Sequence, residues 1–360
     1  MNTQKPPSGT KPAPGKAAQL KAAAQSVQKT GKVSKSTQPC ASATPPKDWA
    51  CVSYHKLKGP KYNNKKNQQP MKDYGRWHAM IDSGKITETD AKLMMIMSPN
   101  EGDFNSVQAF DNQAITAGAM QKTIDSSGKG ELTTQLKDFK AANPDKYKSL
   151  FQDKGWDVEE VDVQKTQGKG KRKRTITVKE TRAKYTYTDK DGKTVTIAGD
   201  ELYAFIKSYC DPATSKEKKA EVEKALDSMR QGVEDDAFKD QQVIDFKKRI
   251  DEATSQKPVG YDHPISDYAT SAKSRAAVLD QSVNRPAYVD DDYGKALDDF
   301  YKNNPKVSKD PATWGDQRSK YEDEINESYG LNRRGTDMAD RYKRIKKAAD
   351  PVIPPDITPK

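Results

Sequence analysis

Five consecutive large apolar residues, Leu93-Met94-Met95-Ile96-Met97, form the longest strongly apolar run in the chain. Thr87 or Thr89 can cap a helix that runs through Ala91 to Met97, and Pro99 helps to close it. On a helix, five successive side chains point in every direction, so this rod has no face for water and the fold must surround it. The run is far shorter than the roughly 20 residues of a membrane span. It therefore predicts a buried core helix in a soluble protein.

Material to surround it is limited. Of 360 residues, 33% are hydrophobic and 32% charged, too apolar-poor for every segment to join a core. Residues 1–47 hold eight lysines, no acid, and only Met1, Leu20, Val27 and Val33 as large apolar side chains. Such a segment cannot offset the entropy lost on ordering. Residues 48–75 add Trp49, Tyr54, Tyr62 and Tyr74 but stay lysine-rich, as a transition. Residues 1–75 are thus expected to be a disordered basic tail, with the folded body, 76–350, beginning near Gly75-Arg76-Trp77. The tail carries 14 lysines against Asp48 and Asp73, whereas the other 285 residues carry 49 basic and 50 acidic side chains. A balanced body argues against a nucleic-acid platform. Pro351 to Lys360, with four prolines, predicts a loose end.

The N-terminus lacks the 7–15-residue apolar stretch of a signal peptide, so export is expected to use another route. Cys40, Cys51 and Cys210 are too few for a disulfide scaffold; free thiols are expected, with a Cys40–Cys51 bridge as the alternative. Together with His55, His78 and His263 they lack metal-ligand spacing, and neither a metal nor a cofactor is expected.

The body predicts an α+β, mainly α fold. A β-like stretch spans Phe104 to Thr116, and a helix spans about 131–142 with Leu132, Leu136 and Phe139 on one face. Alternation in Thr175-Ile176-Thr177-Val178 and Thr194-Val195-Thr196-Ile197, with Asp191-Gly192 as a turn, predicts a β-hairpin insertion at about 172–198. Helices follow at about 200–209, 216–230, 236–253, 272–283, 293–302, 317–328 and 337–348. The basic run Lys169 to Arg174 between glycines is expected to be solvated, and Trp77, Trp156 and Trp314 to be core or rim residues.

Chemistry concentrates after the apolar helix. Glu101 follows Met97-Ser98-Pro99-Asn100, at the end where the helix dipole presents partial negative charge. Apolar neighbours such as Met97 and Phe104 also disfavour ionisation, and both effects raise a carboxyl pKa as a general acid requires. Ten residues on, Asp111 lies among Asn112, Gln113 and Thr116, where an ionised carboxylate is favoured. Two carboxyls pushed apart in this way are the working parts of a glycosidase. Asp103 is the rival second carboxylate.

This order of features resembles the lysozyme-like glycoside hydrolases, a superfamily that includes goose-type lysozymes, lytic transglycosylases and chitosanases. Gly118-Ala119-Met120-Gln121 is similar to the Gly-Leu-Met-Gln element of the transglycosylases. Asp111-Asn112-Gln113-Ala114-Ile115-Thr116-Ala117-Gly118 is similar to the chitosanase segment Asp-Gly-Arg-Gly-Tyr-Thr-x-Gly, and Leu279-Asp280-Gln281-Ser282-Val283-Asn284-Arg285-Pro286 extends the likeness. The chain departs from these patterns at Asn112, Gln113 and Ala114, and at Gly102, where a serine follows the transglycosylase glutamate. The resemblance implies a lysozyme-like fold with Glu101 as acid, Asp111 as base and Thr116 orienting water. Gln121 and Phe104 are expected beside the substrate, with packing or capping of the next segment as the competing role for Gln121.

Charge selects among the glycans. A polycationic chitosan would be repelled by the basic tail, whereas peptidoglycan and its associated polymers carry negative groups. The expected activity is a muramidase, with a lytic transglycosylase or chitosanase-like hydrolase as alternative and a non-catalytic wall- or nucleic-acid-binding protein as the further one. By family likeness, an antibacterial toxin or phage lysin is implied, acting on the cell wall or in a target periplasm. A secretion carrier or phage particle would bind the tail, and an immunity protein would accompany a toxin.

Overall fold

A computed structural model describes residues 48–64, 67–168 and 173–357. The lysine-rich segment 1–47 and residues 169–172 of the basic run lie outside these, as does Cys40. The described chain is mainly helical with two antiparallel sheets, which agrees with the α+β, mainly α expectation.

Strands β1 (Trp49–Tyr54) and β2 (Leu57–Tyr62) form a hairpin, followed by helices α1 (Trp77–Asp82) and α2 (Glu88–Glu101). Three short strands come next: β3 (Val107–Gln108), β4 (Ile115–Ala117) and β5 (Lys122–Ile124). Helices α3 (Glu131–Ala142) and α4 (Pro144–Leu150) lead to a second sheet of β6 (Trp156–Gln167), β7 (Arg174–Thr188) and β8 (Thr194–Ala198). The remainder is helical: α5 (Gly199–Lys207), α6 (Lys216–Val233), α7 (Asp236–Thr254), α8 (Ile265–Tyr268), α9 (Ala272–Asn284), α10 (Val289–Asn303), α11 (Arg318–Asn332) and α12 (Met338–Lys347).

Helix α2 is wrapped as its sequence demands. Thr87 caps it, its side chain accepting from the Asp90 N–H while the Asp90 carboxylate accepts from the Thr87 N–H. Leu93 through Met97 are all buried, within a core that also holds Trp77, Phe246, Val278, Leu279 and Tyr293. Pro99 does not close the helix. The helix continues to Glu101 and ends at Gly102, whose φ of 85° is cheap only for glycine. A second core lies under the sheets and α3 to α6, around Phe139, Phe151, Trp156 and Phe238.

Four expectations need correction. First, the ordered chain starts well before residue 75. β1 and β2 belong to a five-stranded sheet in the order β1-β2-β3-β4-β5, joined to the body by Lys61 opposite Gln108. Trp49 donates to Asp227 at 2.9 Å, and the Arg230 guanidinium lies 5.0 Å from the Tyr62 ring. Trp49 and Tyr62 outweigh the lysines here because they bury beside α6, while the lysines stay at the surface.

Second, Cys51 and Cys210 form a disulfide across 159 residues, so neither is a free thiol and Cys51 is not bridged to Cys40. Third, the hairpin insertion is larger than 172–198, since β6 begins at Trp156 and pairs with β7 along its whole length. Fourth, the C-terminal end is docked rather than loose through residue 357. Asp356 caps α1, accepting from the His78 and Ala79 N–H groups at 2.8 Å each, and the Ile357 N–H donates to the Gly75 carbonyl at 2.8 Å.

The disulfide should matter for stability. Closing so long a loop removes much freedom from the unfolded chain, and its loss typically costs about 2–5 kcal/mol. Cys51→Ser, or reduction of the native protein, is expected to lower the urea midpoint accordingly. An unchanged midpoint would mean that non-covalent contacts alone hold the amino-terminal hairpin.

Candidate active site

Glu101 closes α2 with its side chain 5% exposed. Neither carboxyl oxygen has a hydrogen bond among the described residues, and the nearest cation, Arg341 Nη2, stands 4.0 Å away. Burial pushes this carboxyl above the ordinary range; Arg341 opposes the shift, Asp280 adds to it, and Arg249 opposes it more weakly. Arg341 cannot turn fully to Glu101 because its Nε donates to Asp280 at 2.8 Å and its Nη2 is also engaged there. The other oxygen of Asp280 accepts from Arg333 at 2.8 Å, and both of those side chains are fully buried. A wholly buried carboxylate of this kind needs its partners, since an unpaired one is costly to bury.

The loop after Glu101 is laced to the Gly118-Ala119-Met120-Gln121 element. Ser106 Oγ donates to the carbonyls of Asp103 and Gly118 at 3.0 and 3.1 Å. Gln242 on α7, 1% exposed, completes the joint. Its Oε1 accepts from the Ala119 N–H at 2.7 Å, and its Nε2 donates to the Val233 and Phe104 carbonyls at 2.7 and 3.3 Å. Gly118 permits this approach: a Cβ there would lie 2.5 Å from Gln242 Oε1.

Two clefts open nearby. One of about 220 Å³ is lined by Tyr62, Pro99, Gly102, Asp103, Ser106 and Gln121. The other, of about 440 Å³, is lined by residues including Lys122, Gln135, Asp245, Arg249 and Ser282. Glu101 lines neither, but Gly102 walls the first and Arg249, whose charge reaches Glu101, walls the second.

The other expected site residues are placed as follows. Asp111 lies in the β3–β4 turn, where its Oδ1 accepts from the Gln113 N–H at 2.9 Å, the local bond of a turn-forming aspartate. No described contact joins its carboxylate to Glu101. Thr116 sits in β4, 3% exposed, and its Oγ1 has no hydrogen-bond partner. Gln121 is exposed at the first cleft, its Oε1 accepting from Gln108 at 3.2 Å. Phe104, expected beside the substrate, is instead a core residue, 1% exposed and packed 5.4 Å from the Tyr74 ring. Its apolar ring is better satisfied beneath the cleft than in it. Asp103 lines the first cleft, and burial, helped by the nearby Asp73 charge, raises its carboxyl pKa.

Arg341, Arg333 and Gln242 join the site without any sequence signal that marks them, while Asp280 falls inside the segment Leu279–Pro286. Comparison with protein-family models, characterised proteins and solved structures gives no match.

Two outcomes are expected. Gln242→Leu orphans one N–H and two carbonyls at roughly 1–3 kcal/mol each, so chemical denaturation should show a large loss of stability. For Glu101 the sign follows from linkage. A carboxyl whose folded pKa exceeds its unfolded one binds its proton more tightly when folded, so stability falls as pH rises through that interval. Glu101→Gln cannot ionise. Relative to the wild type it should gain stability from about pH 4.5 upward, the ordinary value for this group. A stability difference flat in pH would show that the folded protein does not hold this carboxyl neutral.

Proposed function

We propose that the chain is a glycoside hydrolase of lysozyme-like fold that cleaves peptidoglycan, with Glu101 as the general acid. The observation that carries this is the Glu101 carboxyl itself: it is buried, free of hydrogen-bond donors, biased towards its protonated form, and one residue from a cleft wall. A structural carboxylate would normally be wetted or paired. One kept neutral beside a cleft is suited to protonating a glycosidic oxygen.

In the leading mechanism Glu101 donates its proton to the leaving oxygen while Asp111, with Thr116, activates water on the opposite face of the sugar. Inversion of this kind needs the carboxyls about 6.5–9.5 Å apart around bound substrate. Arg341 and Asp280 then have complementary tasks. Arg341 stabilises the Glu101 carboxylate left after proton transfer, and Asp280 restrains Arg341 from neutralising it beforehand. A lytic transglycosylase using Glu101 alone is the second reading, favoured by the engagement of the Asp111 carboxylate in its own turn.

The substrate assignment rests on charge. Fourteen lysines in residues 1–75 would hold the enzyme near an anionic wall. The biological setting proposed with it is an antibacterial toxin or phage lysin acting on the cell wall or in a target periplasm. A carrier or phage particle would bind at the tail and, for a toxin, an immunity protein would act as its antagonist.

Digestion of purified peptidoglycan with wild type and Glu101→Gln, followed by mass spectrometry, tests the proposal. The substitution is expected to slow release by about 10²–10⁴-fold or more. Reducing-end muramic acid would identify a muramidase and 1,6-anhydro ends a transglycosylase. Equal release by both proteins would remove Glu101 from the mechanism.

A further inference from the structure

Lys207, the last residue of α5, lies far from Asp111 in sequence and touches it in space. Its Nζ donates to the Asp111 carbonyl at 2.6 Å and also to the Ala109 carbonyl. These two acceptors are the entrance of the β3–β4 turn, so one ammonium holds the backbone on either side of Phe110. The same turn is gripped from the other side. The Ala109 N–H donates to the Pro60 carbonyl of β2 at 2.7 Å, and Gly59 abuts Ala109 so closely that a Cβ there would lie 1.9 Å from its carbonyl oxygen. The two grips are joined, because the disulfide from β1 ends on Cys210, three residues after Lys207.

We propose that Lys207 is a positioning residue for the reaction, fixing the turn that presents the Asp111 carboxylate; this rests on the assignment of Asp111 as the base. Lysine at a helix end is ordinarily solvated, its charge spent on water. Here the side chain is half-buried and its charge is spent on two backbone carbonyls. An ammonium bound this way is dear to bury and gains nothing for the core, whereas it removes freedom from a turn whose tip is otherwise closed by the Asx bond of Asp111.

The protonation of Lys207 should therefore be visible in activity. Burial pushes its pKa down to about 8, opposed by the Asp111 carboxylate. The groups facing it are that carboxylate from the turn and the Tyr203 ring, 5.0 Å away on its own helix. The positive form predominates below this value and makes the stronger bonds to carbonyls. Above it the amine holds the turn more weakly, which predicts an alkaline decline that belongs to Lys207.

The full chain, its Lys207→Met and its Lys207→Arg variants should be compared for kcat and KM on purified peptidoglycan across about pH 6–9.5, with amide hydrogen exchange followed at residues 109–114. Lys207→Met is expected to lose at least about tenfold in kcat with KM little changed, and to speed exchange in the turn about tenfold. Lys207→Arg, which stays charged throughout, should restore both and remove the decline near pH 8. If Lys207→Met does not fold, the Lys207→Arg pH profile decides. A decline near pH 8 kept in Lys207→Arg, beyond the alkaline loss that deprotonation of Glu101 gives in both proteins, or wild-type kcat and exchange in Lys207→Met, would overturn the proposal. If the wild type releases no fragments, the glycosidase assignment fails separately, and unchanged exchange in the turn would then sink the grip as well.

Discussion

A helix that is apolar on every side must be surrounded, and the residue that ends it inherits those surroundings. Leu93 to Met97 draw α7, α9 and the aromatic residues of the larger core around α2. Glu101 emerges at the end of that rod where water has already been displaced, so its unusual chemistry follows from hydrophobic packing several residues away. The buried Asp280 and its two arginines set the electrostatic limit on that packing. Without Asp280, Arg341 would be free to pair with Glu101 and keep it ionised.

The cleft region is organised by polar groups inside the protein. One glutamine side chain joins the end of α6, the loop after Glu101 and the start of the Gly118–Gln121 element, and two of its three bonds cross between segments distant in sequence. Buried amides are exacting in this way: a displacement of any one segment leaves the others unsatisfied.

Much of this was legible in the sequence because it depends on local patterning. The apolar run identified α2, the spacing of Leu132, Leu136 and Phe139 identified α3, and the late helices were visible within a few residues of their ends. The helix stop was misplaced because Pro99 removes only one N–H, and a helix can continue past that loss to the glycine that ends it. β6 was hidden by a shift in alternation, with Trp156 and Val158 on one phase and Val161 and Val163 on the other. The amino-terminal hairpin was hidden by lysines and by Gly59-Pro60, which resemble a turn when the partner strand is unknown. At the site, Glu101 could be singled out from its neighbours along the chain. Lys207, Gln242 and Arg341 could not, since each matters only through what the fold brings to it. Phe104 shows the converse, an aromatic residue near a cleft in sequence but turned away from it in space.

The cystine has a consequence for where the chain can mature. Glutathione and thioredoxin keep cytosolic thiols reduced, so in such a compartment the clasp between the amino-terminal hairpin and the end of α5 would stay open. The strand that flanks the Asp111 turn would then be tethered only by hydrogen bonds and ring contacts. An oxidising compartment would close the clasp, so the stability of the fold is tied to the redox state of its surroundings.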